Sequence, residues 1–179
     1  MGQPRNQDLP HYIYDEYVQW EGRWELIDGI PYAMTPAPGL LHQRISQRIA
    51  SVLDAALEEC EQCLALLPVD WKIEEDTVVQ PDNLVVCGEA KGAYLSKAPV
   101  LIFEVLSQST AYKDKNTKFK LYEKNGVRHY VIVDPETRIA TVYALQENRY
   151  AKVMDATDEL LDFDLGKCLI NFDFSKIWA

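Results

Sequence analysis

The chain has 179 residues, 47% of them apolar, and a formal net charge of −10. These figures fit one domain with enough core to fold without staples, and they exclude a protein that coats nucleic acid through bulk positive charge. No apolar run approaches the roughly 18 residues of a membrane span, and the first residues lack a charged-then-apolar leader.

Met1-Gly2 is followed by Asn6 where N-myristoylation asks for Ser or Thr. Asp8 is expected to cap a first helix with Pro10 in its first turn, Ile13, Tyr17 and Val18 inward, and Gly22 as its stop. The aromatics Tyr12, Tyr14, Tyr17 and Trp20 are expected to pack as core. Trp24-Glu-Leu-Ile, Asp28-Gly29 and Ile30-Pro-Tyr-Ala-Met read as a hairpin with a two-residue turn, and residues 35–39 as a loop. From Leu40 to about Cys63 the period is helical, with Leu41, Ile45, Ile49, Val52, Ala56 and Cys60 as one buried stripe.

Strand-like runs follow at 64–67, 69–73, 77–79 and 84–87, and then at 100–106, which is apolar on both faces as a central strand should be. Ser109 is expected to cap a helix reaching Asn125, with Gly126 ending it. Residues 128–134 form a further strand, 139–145 and 150–154 a hairpin, and the acidic stretch 155–164 a surface loop with a short strand. Leu169 to Phe172 and a last turn close the chain. The order is that of a mixed α/β domain around one central sheet. Four cysteines stand at 60, 63, 87 and 168. Cys60-x2-Cys63 is half a zinc site, but no second pair follows at ligand spacing, so ordinary thiols near a helix end are expected. With no disulfide framework and no leader, the expected location is cytoplasmic.

Chemistry concentrates in three places. Asp82 follows Pro81, and a proline there bends the strand or marks an edge. Alone it reads equally as a turn aspartate. Glu104 stands inside Val-Leu-Ile-Phe-Glu-Val-Leu, where a buried carboxylate is costly unless it is paired or holds a cation. Asp114, Lys118 and Tyr122 share one helix face at i, i+4 spacing. That helix begins about five residues beyond the Glu104 strand, so Lys118 can reach back to the two acids. The plainer reading of Asp114 and Lys118 is a surface ion pair. Lys113, Lys115, Lys118, Lys120, Lys124 and Arg128 form a basic stripe, whose plain reading is a solvated face. Two carboxylates on neighbouring strands with a lysine close by are a means of cutting a phosphodiester.

The pieces Trp24-Glu-Leu-Ile-Asp-Gly, His42-Gln43, Pro81-Asp82, Ala98-Pro-Val-Leu-Ile-Phe-Glu-Val-Leu-Ser, Asp114-x3-Lys118-x3-Tyr122 and Gly126-Val-Arg-His-Tyr-Val-Ile-Val-Asp-Pro135 come in an order that resembles the Uma2 family (DUF820) of the PD-(D/E)xK nuclease superfamily. The resemblance implies a restriction endonuclease-like α/β core, a mixed sheet flanked by helices, within one domain over 1–179. Residues 1–35 are its N-terminal helix and hairpin, 36–135 the nuclease core, and 136–179 the C-terminal strands. It implies metal-binding acids on two adjacent strands, Asp82 and Glu104. The superfamily's usual lysine position, two after the second acid, holds Leu106 here, so Lys118 on the following helix is taken as its replacement. Where other members carry an acid on the first core helix, this chain offers His42, and Glu25 is a second candidate from the hairpin.

Asp82, Glu104 and the Val105 carbonyl make a hard oxygen site suited to Mg²⁺ or Mn²⁺. Lys118 would orient water or stabilise phosphate charge, Tyr122 would anchor the lysine or a phosphate oxygen, and His42 would be a further ligand or proton-transfer group. The expected activity is that of a Mg²⁺-dependent endodeoxyribonuclease acting on DNA as a homodimer, since cutting two strands symmetrically calls for two sites. Two other readings stand beside it: a non-catalytic nucleic-acid or protein binding module on the same fold, and a carboxylate-pair hydrolase acting on sugars without a metal.

Overall fold

A computed structural model describes residues 9–34 and 36–178. A short helix, α1 (Tyr14–Tyr17), precedes the hairpin β1 (Trp24–Ile27) and β2 (Ile30–Ala33). The long helix α2 (Leu40–Ala56) leads to β3 (Cys63–Leu66), β4 (Trp71–Glu74), β5 (Thr77–Val79), β6 (Asn83–Cys87) and β7 (Leu101–Val105). A π-helical segment, Lys113–Lys118, runs into α3 (Phe119–Lys124). Then come β8 (His129–Asp134), β9 (Ile139–Gln146), β10 (Arg149–Ala156), β11 (Leu160–Asp164), β12 (Leu169–Asp173) and a 3-10 turn, Phe174–Lys176.

Six strands form the central sheet in the order β10-β9-β8-β7-β6-β3. Its one parallel pair is β7 and β8, which requires a crossover, and the π-helical segment with α3 supplies it. A second sheet has the order β2-β1-β5-β4, and β11 and β12 form a separate hairpin. Every residue of β7 is buried, as expected of a strand covered on both faces. Leu101, Phe103 and Val105 belong to a core built with Ile45, Ile49 and Leu53 of α2 and Phe163, Ile170 and Phe172 of the β11–β12 hairpin. Ile102 and Leu106 belong to another, with Ile27, Trp71 and Val79 of the second sheet and Tyr122 and Tyr130. The central sheet is therefore the middle of three layers, and the crossover helix lies on the side of the second sheet.

Several local expectations change in the fold. The Asp28-Gly29 turn holds, with φ of 50° and 75° and Ile27 opposite Ile30, the positive φ pair a two-residue turn demands. The first helix shrinks to four residues, and Asp8 lies outside the described residues. So short a helix buries one position: Tyr17 is buried, while Ile13 and Val18 are 41% and 53% exposed. Tyr12, Tyr14, Trp20 and Trp24 pack around it over Leu26 and Val78 on the outer face of the second sheet. In α2 the buried row is Ile45, Ile49 and Leu53, continued by Leu57. This i, i+4 ridge meets the sheet, leaving Val52 and Ala56 half-buried on its flank and Leu41 48% exposed. Ser109 does not cap the crossover helix; its hydroxyl meets that of Ser107 at 3.1 Å.

The cysteine expectation is overturned. Cys60 pairs with Cys168 and Cys63 with Cys87. Cys63 and Cys87 face each other in the β3–β6 register, whereas Cys168 comes from the β11–β12 turn, 108 residues from Cys60. Spacing along the chain shows neither.

Candidate active site

Asp82 and Glu104 meet because a ladder breaks. The β6–β7 pairing ends at Asn83 opposite Phe103, so the next positions in register are Asp82 and Glu104. The chain arrives from β5 in the second sheet, and Gln80-Pro81 carries it across to the central one. Leu106 N–H already bonds β8, donating to the Val133 carbonyl at 2.8 Å, so Val105 N–H points to the β6 side. There it donates to Asp82 Oδ2 at 2.9 Å. A carboxylate stands where a strand carbonyl would. His42 Nε2, from the first turn of α2, lies 3.1 Å from the same oxygen.

Glu104 points into the layer between the two sheets. Its Oε1 accepts hydrogen bonds from Lys118 Nζ at 2.9 Å and from the Tyr122 hydroxyl at 2.7 Å. Tyr122 is fixed by Trp71 and Tyr130, whose rings lie 5.8 and 5.1 Å away. Lys118 also lies 2.8 Å from Glu25 Oε1 and 3.7 Å from Asp114 Oδ1. Glu25 comes from β1, which pairs with β5 at Leu26 opposite Val78, and this pairing sets the N-terminal hairpin beside the Glu104 strand. Its Oε1 accepts Gln80 N–H at 2.9 Å and its Oε2 accepts Lys113 Nζ at 2.5 Å. The π-helical turn explains how both lysines reach one site. Five residues along an α-helix end about 140° away from the start, whereas the wider i→i+5 repeat of a π-turn brings them back toward one face.

The charge count is lopsided. Glu25, Asp82, Glu104 and Asp114 bring four carboxylates to two lysines, Lys113 and Lys118, a formal surplus of two negative charges. Glu25, Glu104, Asp114 and Lys118 are each no more than 2% exposed, so the surface-pair reading of Asp114 and Lys118 fails. Burial pushes the Glu25 carboxyl up, but Lys118 and Lys113 outweigh it and hold it below the usual range. Burial likewise opposes ionisation of Asp82, and the His42 hydrogen bond and charge bring it below its usual value. Glu104 is pushed well above the carboxylate range by burial and by Asp114, Asp82 and Glu25, which together outweigh the opposing Lys118. Lys118 itself remains an ammonium: burial lowers it, and Glu104, Glu25 and Asp114 raise it well beyond that loss. Asp114 is raised by burial, and its Oδ1 accepts no hydrogen bond. His42 is raised, its desolvation offset by Asp82, and its Nδ1 is buried without a partner.

These residues fit a divalent cation of modest protein ligation. Asp82 Oδ1 and Glu104 Oε2 accept no hydrogen bond from the described residues. Among those residues, no three His, Cys, Asp or Glu ligand atoms at this site lie within 4.8 Å of one another. Two carboxylates supplemented by water are a donor set that a hard divalent cation accepts. A surplus of buried negative charge is what such an ion would neutralise. Access comes from the α2 side, where a groove of about 680 Å³ lined by Arg23, His42, Gln43, Ser46 and Ser51 opens onto Asp82.

The structure thus gathers Asp82, Val105 and His42 into one contact set and Glu104, Lys118, Tyr122 and Glu25 into an adjoining one. Leu106 is 8% exposed, packed in the apolar part of the inter-sheet core, and Lys118 reaches Glu104 in its stead. Lys113 was foreseen only as part of the basic stripe, and Gln80 not at all. The stripe divides: Lys115, Lys120, Lys124 and Arg128 are exposed, whereas Lys113 and Lys118 turn inward.

Residues 14–164 match the model of the Uma2 family, described as "Putative restriction endonuclease". The chain belongs to the Uma2 family. Over 134 residues, 70% of each chain, it is 32% identical to the uncharacterized protein slr1290 of Synechocystis sp. (strain ATCC 27184 / PCC 6803 / Kazusa). A second Synechocystis relative, sll1609, is 28% identical over 174 residues, 90% of this chain and 93% of the other. In fold, this Uma2 chain matches the crystal structure of "a putative nuclease belonging to DUF820 from Anabaena variabilis ATCC 29413", with a TM-score of 0.74 over 93% of this chain and 97% of that one at 19% identity. The mixed α+β architecture of that structure is the fold of this protein.

Proposed function

We propose that this Uma2 protein is a Mg²⁺- or Mn²⁺-dependent endonuclease that hydrolyses phosphodiester bonds in DNA, acting as a homodimer so that two sites meet two strands. The observation that carries the reading is the formal surplus of two carboxylates over lysines at the Asp82–Glu104 site, with Glu25, Glu104 and Asp114 buried, set against a donor set that suits a hard cation. Asp82, Glu104 and the Val105 carbonyl would hold the ion, which when bound polarises the phosphate and acidifies water. His42 steadies Asp82 through Nε2 and is placed to take up or release a proton at the mouth of the groove. Lys118 offers a fixed positive charge beside Glu104 for the phosphate oxygens; Glu25 and Glu104 hold that ammonium group in place, and the Tyr122 hydroxyl holds Glu104.

The test is cleavage of DNA by the purified full chain with Mg²⁺ or Mn²⁺. Asp82→Ala and Glu104→Ala are each expected to lower the rate about 10²–10³-fold, the several kcal/mol a metal supplies, while circular dichroism shows the fold kept. Cleavage that persists in EDTA would sink the proposal. One observation favours the non-catalytic binding reading: Lys118 is already held by Glu25 and Glu104 and is 2% exposed. That reading requires weak metal binding by calorimetry and no turnover of any DNA form.

A further inference from the structure

The four cysteines lie in one knot, away from the carboxylates. Cys60 stands in the turn after α2, Cys63 opens β3, Cys87 ends β6, and Cys168 lies between β11 and β12. The two disulfides abut: Cys168 Sγ is 3.7 Å from Cys63 Sγ, across the two pairs. The sulfurs of Cys60, Cys63 and Cys168 all lie within 4.8 Å of one another, and Cys87 is bonded to Cys63. Among the described residues this is the one group of three or more His, Cys, Asp or Glu ligand atoms so close.

We propose that this knot, when reduced, is a four-cysteine site for one structural Zn²⁺. A tetrahedral zinc with Zn–S bonds of about 2.3 Å places its sulfurs about 3.8 Å apart, and the Cys63–Cys168 separation is already that long. Cys60-x2-Cys63 has the two-residue gap of a zinc knuckle, and the two remaining ligands arrive from other elements. Cys60 and Cys63 are 7% and 6% exposed and sit against the core of α2 and the β11–β12 hairpin. The disulfide form adds little in one place, since Cys63 and Cys87 already face each other in a hydrogen-bonded ladder. A single ion would tie the end of α2, two strands and the β11–β12 turn together at once. The conversion balances: two dithiol molecules reduce the two disulfides and become two disulfides themselves, and the four protein thiols bind Zn²⁺ as thiolates with release of four protons. A reducing compartment would favour that form.

The test uses the full chain, reduced with a dithiol and then freed of it without chelator, with zinc alone or cobalt alone as the probe. One zinc per chain is expected, with the visible spectrum of tetrahedral cobalt thiolate after exchange. Zinc should slow thiol modification at least about tenfold. Cys87→Ser and Cys168→Ser should lose the ion, while Asp82→Ala and Glu104→Ala should keep it, so failure here and failure of the nuclease reading are separable. Three results would overturn the proposal: disulfides that survive the dithiol, four thiols that react as fast with zinc as without, or zinc retained by both cysteine variants. The cobalt spectrum is read on the unaltered chain, so a variant that does not fold leaves the proposal decidable.

Discussion

One strand serves two surroundings. On the α2 side of β7, Leu101, Phe103 and Val105 enter an apolar core, with Phe103 lying 5.0 Å from the Phe172 ring. On the other side the same alternation delivers Ile102, then Glu104 into a lattice of carboxylates and lysines, then Leu106. Because the side-chain period of a strand is two, one backbone presents a stabilising face and a chemical face. The two faces should respond differently to the same experiment. On the apolar face, loss of atoms leaves a cavity nothing in solution can fill. On the charged face, loss of one charge leaves an imbalance an ion can correct.

The largest effects come from breaking each face in turn. Phe103→Ala should cost about 3–5 kcal/mol of stability, read by thermal or urea unfolding, with the same loss in EDTA and in Mg²⁺. Lys118→Met should cost about as much, roughly 3–5 kcal/mol, because Glu25, Glu104 and Asp114 are left without their shared cation. Here Mg²⁺ should restore part of the loss, since an ion that binds only the folded state stabilises it. Equal insensitivity of both variants to Mg²⁺ would show that the two faces are alike, and would count against a cation at Glu104.

The apolar face was largely legible in the sequence. An unbroken apolar run marks a central strand, and Ile45 and Ile49 stand out by helical spacing. Glu104 was legible for the opposite reason, as an acid where physics forbids a lone one. Asp114, Lys118 and Tyr122 were found by i, i+4 spacing, but their burial was not, since that spacing is equally common on a solvated face. Lys113 stayed hidden because only a π-turn brings it round to Glu25, and no local pattern announced that turn. Glu25 could be named only as a candidate: its position depends on β1 pairing with β5, some 50 residues on in the chain (Leu26 with Val78). The cysteine knot escaped for the same reason, since Cys168 meets Cys60 across 108 residues.

A smaller effect separates the carboxylates by pH. In the metal-free protein Glu104 lies above its ordinary 4.5, so the folded state binds the proton more tightly than the unfolded one. Stability should therefore fall as pH rises from about 4.5 through that raised value. Asp114 adds to this fall, and so does His42 above its ordinary 6.5, because its raised folded value contributes stability that is lost as pH rises. Glu25 and Asp82 act oppositely, their contribution being lost only as pH falls through their lowered values. Melting temperatures in EDTA should thus decline as pH rises above the ordinary 4.5 of Glu104, and Mg²⁺ should flatten the decline by favouring ionised Glu104. Glu104→Gln should flatten it without metal. A decline of the same steepness in that variant would assign the effect to His42 and Asp114 instead.

The smallest effect on stability lies on the outer side of the crossover helix. Lys115 and Lys120 are exposed, while Lys113 and Lys118 of the same stripe face the carboxylates. Lys115→Ala and Lys120→Ala should change stability by less than about 0.5 kcal/mol, as surface substitutions do. Their value lies in DNA binding. If the exposed lysines neutralise phosphates, each loss should reduce the slope of log affinity against log salt by about one. Binding isotherms at several salt concentrations, with Ca²⁺ in place of Mg²⁺ to prevent cutting, would measure it. A chain with ten surplus negative charges can approach DNA only where local cations outweigh the whole. An unchanged slope in the double variant would move the contact surface off this helix and toward the groove beside α2.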